Sequence, residues 1–150
     1  LDKLPLDLVP DTAIALASLA HLDGCLKHGK WNWRISGVRV STYLGAIKRH
    51  IAAYENGEEI ATDGVHHLGH AMACLNIIVD SEACGKLIDD RPPRMAIAAW
   101  FEKLTPWVKT LRERYKDRNP KHYSIHDEGP PATINLHQAE GADGSHDPSA

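Results

Sequence analysis

The chain has 150 residues, 43% of them hydrophobic and 25% charged, the size of one domain rather than two. Seventeen Lys and Arg against twenty Asp and Glu leave a formal charge of -3, so no basic field argues for nucleic acid or a membrane surface as partner. The number that asks for a cause is ten histidines, for which metal binding is the first candidate.

The charge is uneven. Ser124 to Ala150 carries five acids and no Lys or Arg, so the body is slightly cationic and the tail anionic. No window approaches the roughly eighteen apolar residues of a membrane span, and the N-terminus lacks the basic-then-apolar layout of a signal peptide, so a cytoplasmic protein is expected. Cys25, Cys74 and Cys84 are an odd number without CxxC spacing, which fits reduced thiols.

In chain order, KLPLDLVP is an extended lead-in whose prolines cannot continue a helix backwards. With Asp11 as N-cap, the Ala- and Leu-rich run that follows predicts a first helix from about Thr12 to His28, stopped by Gly29. A polar and aromatic connection, GKWNWRISGVRV, leads to Ser41, which opens a second helix with Leu44, Ile47, Ile51 and Tyr54 as its stripe and Gly57 as its stop. Asp63 is the expected N-cap of a third helix with the stripe Val65, Leu68, Met72, Leu75 and Val79, paired with the second as an antiparallel hairpin. After the DDRPP punctuation, apolar residues from Ile97 to Tyr115 keep helical spacing. Thr105 and Pro106 within that run predict two short helices or one kinked one. No strand pattern longer than VRV at Val38 is present. The fold class is all-α, a bundle of four to five helices over residues 1–123, followed by a flexible acidic tail over 124–150 that has too few apolar groups to repay ordering.

Four histidines fall within 21 residues: His50 in helix two, and His66, His67 and His70 in HHLGH at the start of helix three. Positions three apart share a helix face, so His67 and His70 can aim at one centre, and His50 lies on the inward stripe of the partner helix. Glu55, Glu58, Glu59 and Asp63 stand at the hairpin connection. Imidazoles and carboxylates converging between paired helices are how bundles hold divalent cations, and His50, Glu58, Asp63, His67 and His70 are the candidate ligands. His66 is the expected bystander, and His21 and His28 have no partner in the pattern. A second cluster, Lys30, Trp31, Asn32, Trp33 and Arg34, combines indole rings, an amide and cations, a set suited to stacking a base and neutralising phosphate, although two Trp rings can equally well cover the open end of a bundle. Lys48 and Arg49 add positive charge beside His50. No Gly-rich phosphate loop or strand-borne nucleophile is present.

The order KLPLDLVP, GKWNWR, STYLGAIKRHIAAYENGEE, HHLGHAMACLNIIVD and DDRPP resembles the short phage and bacterial dATP/dGTP diphosphohydrolases of the MazZ type, near the all-α MazG-like pyrophosphatases. The resemblance covers about Leu4 to Pro93. It implies metal-dependent hydrolysis of a purine deoxynucleoside triphosphate to monophosphate and pyrophosphate. In phages that replace adenine by diaminopurine, such an enzyme supplies dGMP and depletes dATP. The family's RH falls on Arg49 and His50, its GE on Gly57 and Glu58, and its HLxH on His67 to His70. Catalytic roles are then expected for Lys48, Arg49, Glu58 and Glu59, and nucleotide-binding roles for Lys30, Asn32, Trp33 and Arg34. HHLGH stands where MazG-like chains carry EELGD, and imidazole favours cobalt or manganese, with magnesium the other candidate. The resemblance also implies a homo-oligomer, dimer or tetramer. A non-catalytic helical metal-binding module and an HD-like triphosphohydrolase are the alternatives.

Overall fold

In the computed structural model, which describes residues 3–127, the lead-in prolines bracket one 3-10 turn at Leu6–Leu8, and α1 runs Asp11–His28. Pro10 occupies the N-cap position with extended backbone angles, so Asp11 lies inside the first turn instead of capping it, where its charge suits the positive end of the helix dipole. The connection expected to be irregular contains a single helical turn, α2 (Trp33–Ser36), closed by Gly37 at φ 73°. A Cβ on Gly37 would stand 2.5 Å from the Lys86 carbonyl oxygen. Only glycine lets Val38 N–H donate to that oxygen, at 3.2 Å, and start the two-residue parallel pair of β1 (Val38–Arg39) with β2 (Leu87–Ile88).

Helix α3 runs Val40–Glu55, with Arg39 rather than a serine at its N-cap. Ser41 sits in the first turn, and its N–H and hydroxyl both donate to Asp90, at 2.9 and 2.5 Å. The DDRPP segment therefore satisfies one of the orphan N-terminal donors of α3 from outside, and these bonds hold the Asp90 carboxyl below its usual range.

Helix α4 runs His67–Ala83 and starts later than an Asp63 N-cap requires. The cap is His66, the expected bystander, whose Nδ1 accepts from Leu68 N–H at 3.0 Å. Asp63 instead accepts from Val65 N–H in the preceding loop. The predicted antiparallel hairpin of α3 and α4 is present, with His50 beside His67 and Tyr54 beside His66. On its other side α4 meets α1. A Cβ on Gly69 would lie 2.9 Å from the Leu16 carbonyl oxygen, so the two backbones nearly touch.

That approach explains why the stripe predicted for helix three is not its buried face. The buried residues are His67, Gly69, Ala71, Ala73 and Ser81, whereas Leu75 and Val79 are 48% and 66% exposed. Close backbones admit only small side chains, and the larger ones are displaced to the rim. Leu44, Ile51 and Tyr54 of α3 are likewise exposed. Among the described residues the buried hydrophobics are Ala17, Ala20, Val38, Val40, Ala71 and Ala73.

Helix α5 runs unbroken over Ile97–Arg114 with Pro106 inside it. Thr105 does not cap a second helix, because its hydroxyl donates to the Phe101 carbonyl one turn back, at 2.8 Å. α5 packs along none of α1, α3 and α4. The chain divides into a unit ending at Asn119 and a second beginning at Pro120, in whose described part Lys121 pairs with Asp127 at 2.7 Å. The acidic tail beyond Asp127, with His137 and His146, lies outside the described residues. The class is all-α, as predicted, with five α-helices among the described residues, α2 being the one that no periodicity announced. No described helix is long and apolar enough to cross a membrane.

Candidate active site

The hairpin brings His50, His67 and His70 together. The Nδ1 atoms of His50 and His67 lie 2.9 Å apart, and the rings of His50 and His70 stack with centroids at 4.7 Å. His70 Nε2 meets the Asp63 carboxylate at 2.9 Å, which fixes the ring and its tautomer. Bonds from Val65 N–H and His70 hold the Asp63 carboxyl below its usual range. Burial, with His70 and His67 as neighbours, lowers the affinity of His50 for a proton and favours its neutral, ligating form.

His67 is 8% exposed, and its Nε2 has no hydrogen-bond partner. The facing group is the Glu58 carboxylate, 3.8 Å away, which is beyond hydrogen-bond range. A buried imidazole nitrogen left unsatisfied opposite a carboxylate fits a divalent cation, which sits about 2.0–2.2 Å from such nitrogen and oxygen ligands. As the side chains stand, no three His, Cys, Asp or Glu groups among the described residues converge on one ion position. His50 and His67 spend a nitrogen on each other, and His70 spends one on Asp63. The donor chemistry fits an ion, and the ring orientations would have to adjust to hold it.

The remaining predicted residues divide by geometry. Glu58 reaches the imidazoles, while Glu59 contributes its backbone carbonyl, which accepts from His67 N–H at 2.8 Å. Arg49 folds back along α3 towards Gly45 and is near enough to His50 to act on its charge. Lys48 is about 200° round the helix from His50 and faces away.

The Trp cluster is elsewhere. Trp33 Nε1 donates to Asp80 at 2.6 Å, and Arg34 forms a two-point pair with the same carboxylate at 2.8 and 2.7 Å. Arg34 and then Trp33 hold the Asp80 carboxyl at about 2. The Arg34 guanidinium also covers the Trp31 ring at 4.4 Å, and Trp31 adopts φ 64°, rare for a bulky residue. These groups line a cavity of about 780 Å³ with Lys30, Cys25, Val79 and the hydrogen-bonded pair His21 and Asn76. His21 thus has a partner that the pattern did not reveal. Asn76 and Val79 lie roughly 180° and 120° round α4 from His67, and Asp80 is about 15 Å along it from His70. Within one chain the cavity and the imidazoles therefore occupy opposite faces of α4. Asp80 was missed by sequence reasoning. The signal for it is an acid in the last turn of a helix, where the dipole disfavours one and a cationic partner is needed.

The family model described as "dATP/dGTP diphosphohydrolase, N-terminal" matches residues 1–91, from the lead-in through the segment that caps α3. No curated protein and no solved structure gives a significant match. The matched stretch carries the whole imidazole cluster, its carboxylates and the Trp cavity, and it spans more than half of the 150 residues. The chain belongs to the dATP/dGTP diphosphohydrolase family and is a hydrolase of purine deoxynucleoside triphosphates.

Proposed function

We propose that the chain splits dGTP and dATP into the nucleoside monophosphate and pyrophosphate at the cluster of His50, His67 and His70, with a divalent cation as cofactor. The observation that carries this reading is the buried, unsatisfied Nε2 of His67 facing Glu58 at 3.8 Å. His50, His67, His70, Glu58 and Asp63 would hold the cation, and the three imidazoles favour cobalt or manganese over magnesium. When bound, the cation would supply positive charge against the phosphate oxygens and acidify the attacking water. The Glu58 oxygen that does not face His67 would accept that water's proton. Asp63 holds the His70 ring in place through Nε2. Arg49 offsets the charge that develops on the leaving pyrophosphate, while Lys48, on the far side of α3, contributes only to the general field.

The cavity of Trp31, Trp33 and Arg34 suits the purine, with Lys30, which also lines it, as a phosphate contact and Asn32 between the two indoles in the chain. Because it lies across α4 from the imidazoles, the base subsite and the reaction centre serve one substrate only between two copies of the chain, so activity belongs to a homo-oligomer. The resemblance to the enzymes of diaminopurine phages supports a role in supplying dGMP and removing dATP.

Incubation with each deoxynucleoside triphosphate under magnesium, manganese or cobalt tests the reading by its phosphate product. Pyrophosphate is expected, triphosphate would indicate the alternative cut, and no turnover with any ion would sink the proposal. Mixing inactive His67→Ala with inactive Trp33→Ala chains is expected to restore part of the activity if the two subsites come from different copies.

A further inference from the structure

Helix α5 lies outside the matched family region, and nothing described packs along it. Its apolar side is not scattered. Ile97, Phe101, Leu104, Val108, Leu111 and Tyr115 follow one another at spacings of 4, 3, 4, 3 and 4, the a/d seam of a coiled coil, and each is between 42% and 62% exposed. Trp100 and Trp107, seven residues apart, widen the seam on one flank. Pro106 lies about 180° from it, so the residue that cannot donate a backbone bond faces outward and leaves the seam uninterrupted.

We propose that α5 is a self-association element that pairs antiparallel with α5 of a second copy of this chain. The seam is palindromic about position 106. Reversing one helix sets Ile97 against the second copy's Tyr115, Phe101 against its Leu111 and Leu104 against its Val108, larger side chains opposite smaller or differently shaped ones. A two-fold axis needs such self-complementarity, because the same patch serves both partners. Charge selects the orientation. The helix ends in Arg112 and Arg114 and has no acid in its first turn. A parallel pair would bring four guanidinium groups to one end. The antiparallel pair separates them, aligns the helix dipoles favourably and puts Arg114 over the second copy's Trp100, a cation–π arrangement.

The test is the mass in solution of the full chain, by light scattering or sedimentation, across micromolar concentrations. Wild type is expected at twice the chain mass or a multiple of it, and Phe101→Glu with Val108→Glu is expected to halve it with circular dichroism unchanged. Wild-type protein of single-chain mass, or an assembly that the double variant leaves intact, would overturn the proposal. Orientation is read by oxidation in a chain with Cys25, Cys74 and Cys84 changed to serine. Thr105→Cys is expected to link to itself, and Ala98→Cys to link to Arg112→Cys but not to itself. Self-linking by Ala98→Cys would overturn the antiparallel arrangement. These readouts need no turnover, so they stand or fall separately from the proposed reaction.

Discussion

The Nδ1 atoms of His50 and His67 stand 2.9 Å apart, so one ring must donate the proton that the other accepts. The two residues act as a unit across the helix pair. His50→Ala and His67→Ala are each expected to lower kcat by at least about 100-fold, and the double variant is expected to be no worse than either single one. Steady-state kinetics beside circular dichroism checks this, and retained activity in His67→Ala would refute the assignment.

Neighbouring residues that look equivalent in sequence separate in kinetics. Glu58→Gln and Arg49→Ala are expected to cost about 10-fold or more, because Glu58 faces His67 and the charge of Arg49 acts on His50. Lys48→Ala and Glu59→Gln should stay within about threefold, since Lys48 faces away and Glu59 acts through its carbonyl. The reverse ranking would show that the loop rearranges around substrate.

Gly69 sits inside HHLGH for packing. Gly69→Ala sets a methyl against the Leu16 carbonyl oxygen at 2.9 Å and is expected to cost about 1–3 kcal/mol in denaturant unfolding. Leu16→Ala should not rescue it, because the nearest atom belongs to the backbone. Rescue would mean that the Leu16 side chain, whose Cγ is 3.3 Å away, is the true obstacle.

Asp80 makes stability depend on acid. Its folded value of about 2 lies below the ordinary 3.8, so the folded state holds the ionised form more strongly. The contribution is complete above about pH 4 and is lost as the pH falls through 2. Wild type and Asp80→Asn should therefore differ in Tm by a constant amount above pH 4, and their curves should converge below it. The Asp89 carboxyl, held at about 2 by Arg91, titrates in the same window in both proteins and cancels. Parallel curves down to pH 2 would show that Arg34 does not hold Asp80.

Sequence periodicity located α1, α3, α4 and α5, because each carries a long 3.6-residue pattern between strong stop signals. It could not say which face is buried. The stripe with Leu75 and Val79 reads as core only if a neighbouring helix stays at ordinary distance, and the Gly69 contact with Leu16 brings α1 too close for large side chains. The nearness of His50, His67 and His70 was legible because a short hairpin fixes register between adjacent helices. The position of Trp33 and Arg34 was not legible, since it depends on Asp80, 47 and 46 residues away, whose role no local spacing reveals. Caps were legible only by residue type. Asp63 and Ser41 look like caps, yet His66 and the distant Asp90 do that work.

Alanine and valine make up the buried apolar side chains among the described residues. Such an interior releases little free energy when a lone chain closes, because burial scales with apolar area and these are the smallest contributors to it. By mass action, whatever pairing covers the larger side chains then becomes part of the folding equilibrium itself, and the melting temperature should climb with protein concentration. Dilution would act on this enzyme as a mild denaturant.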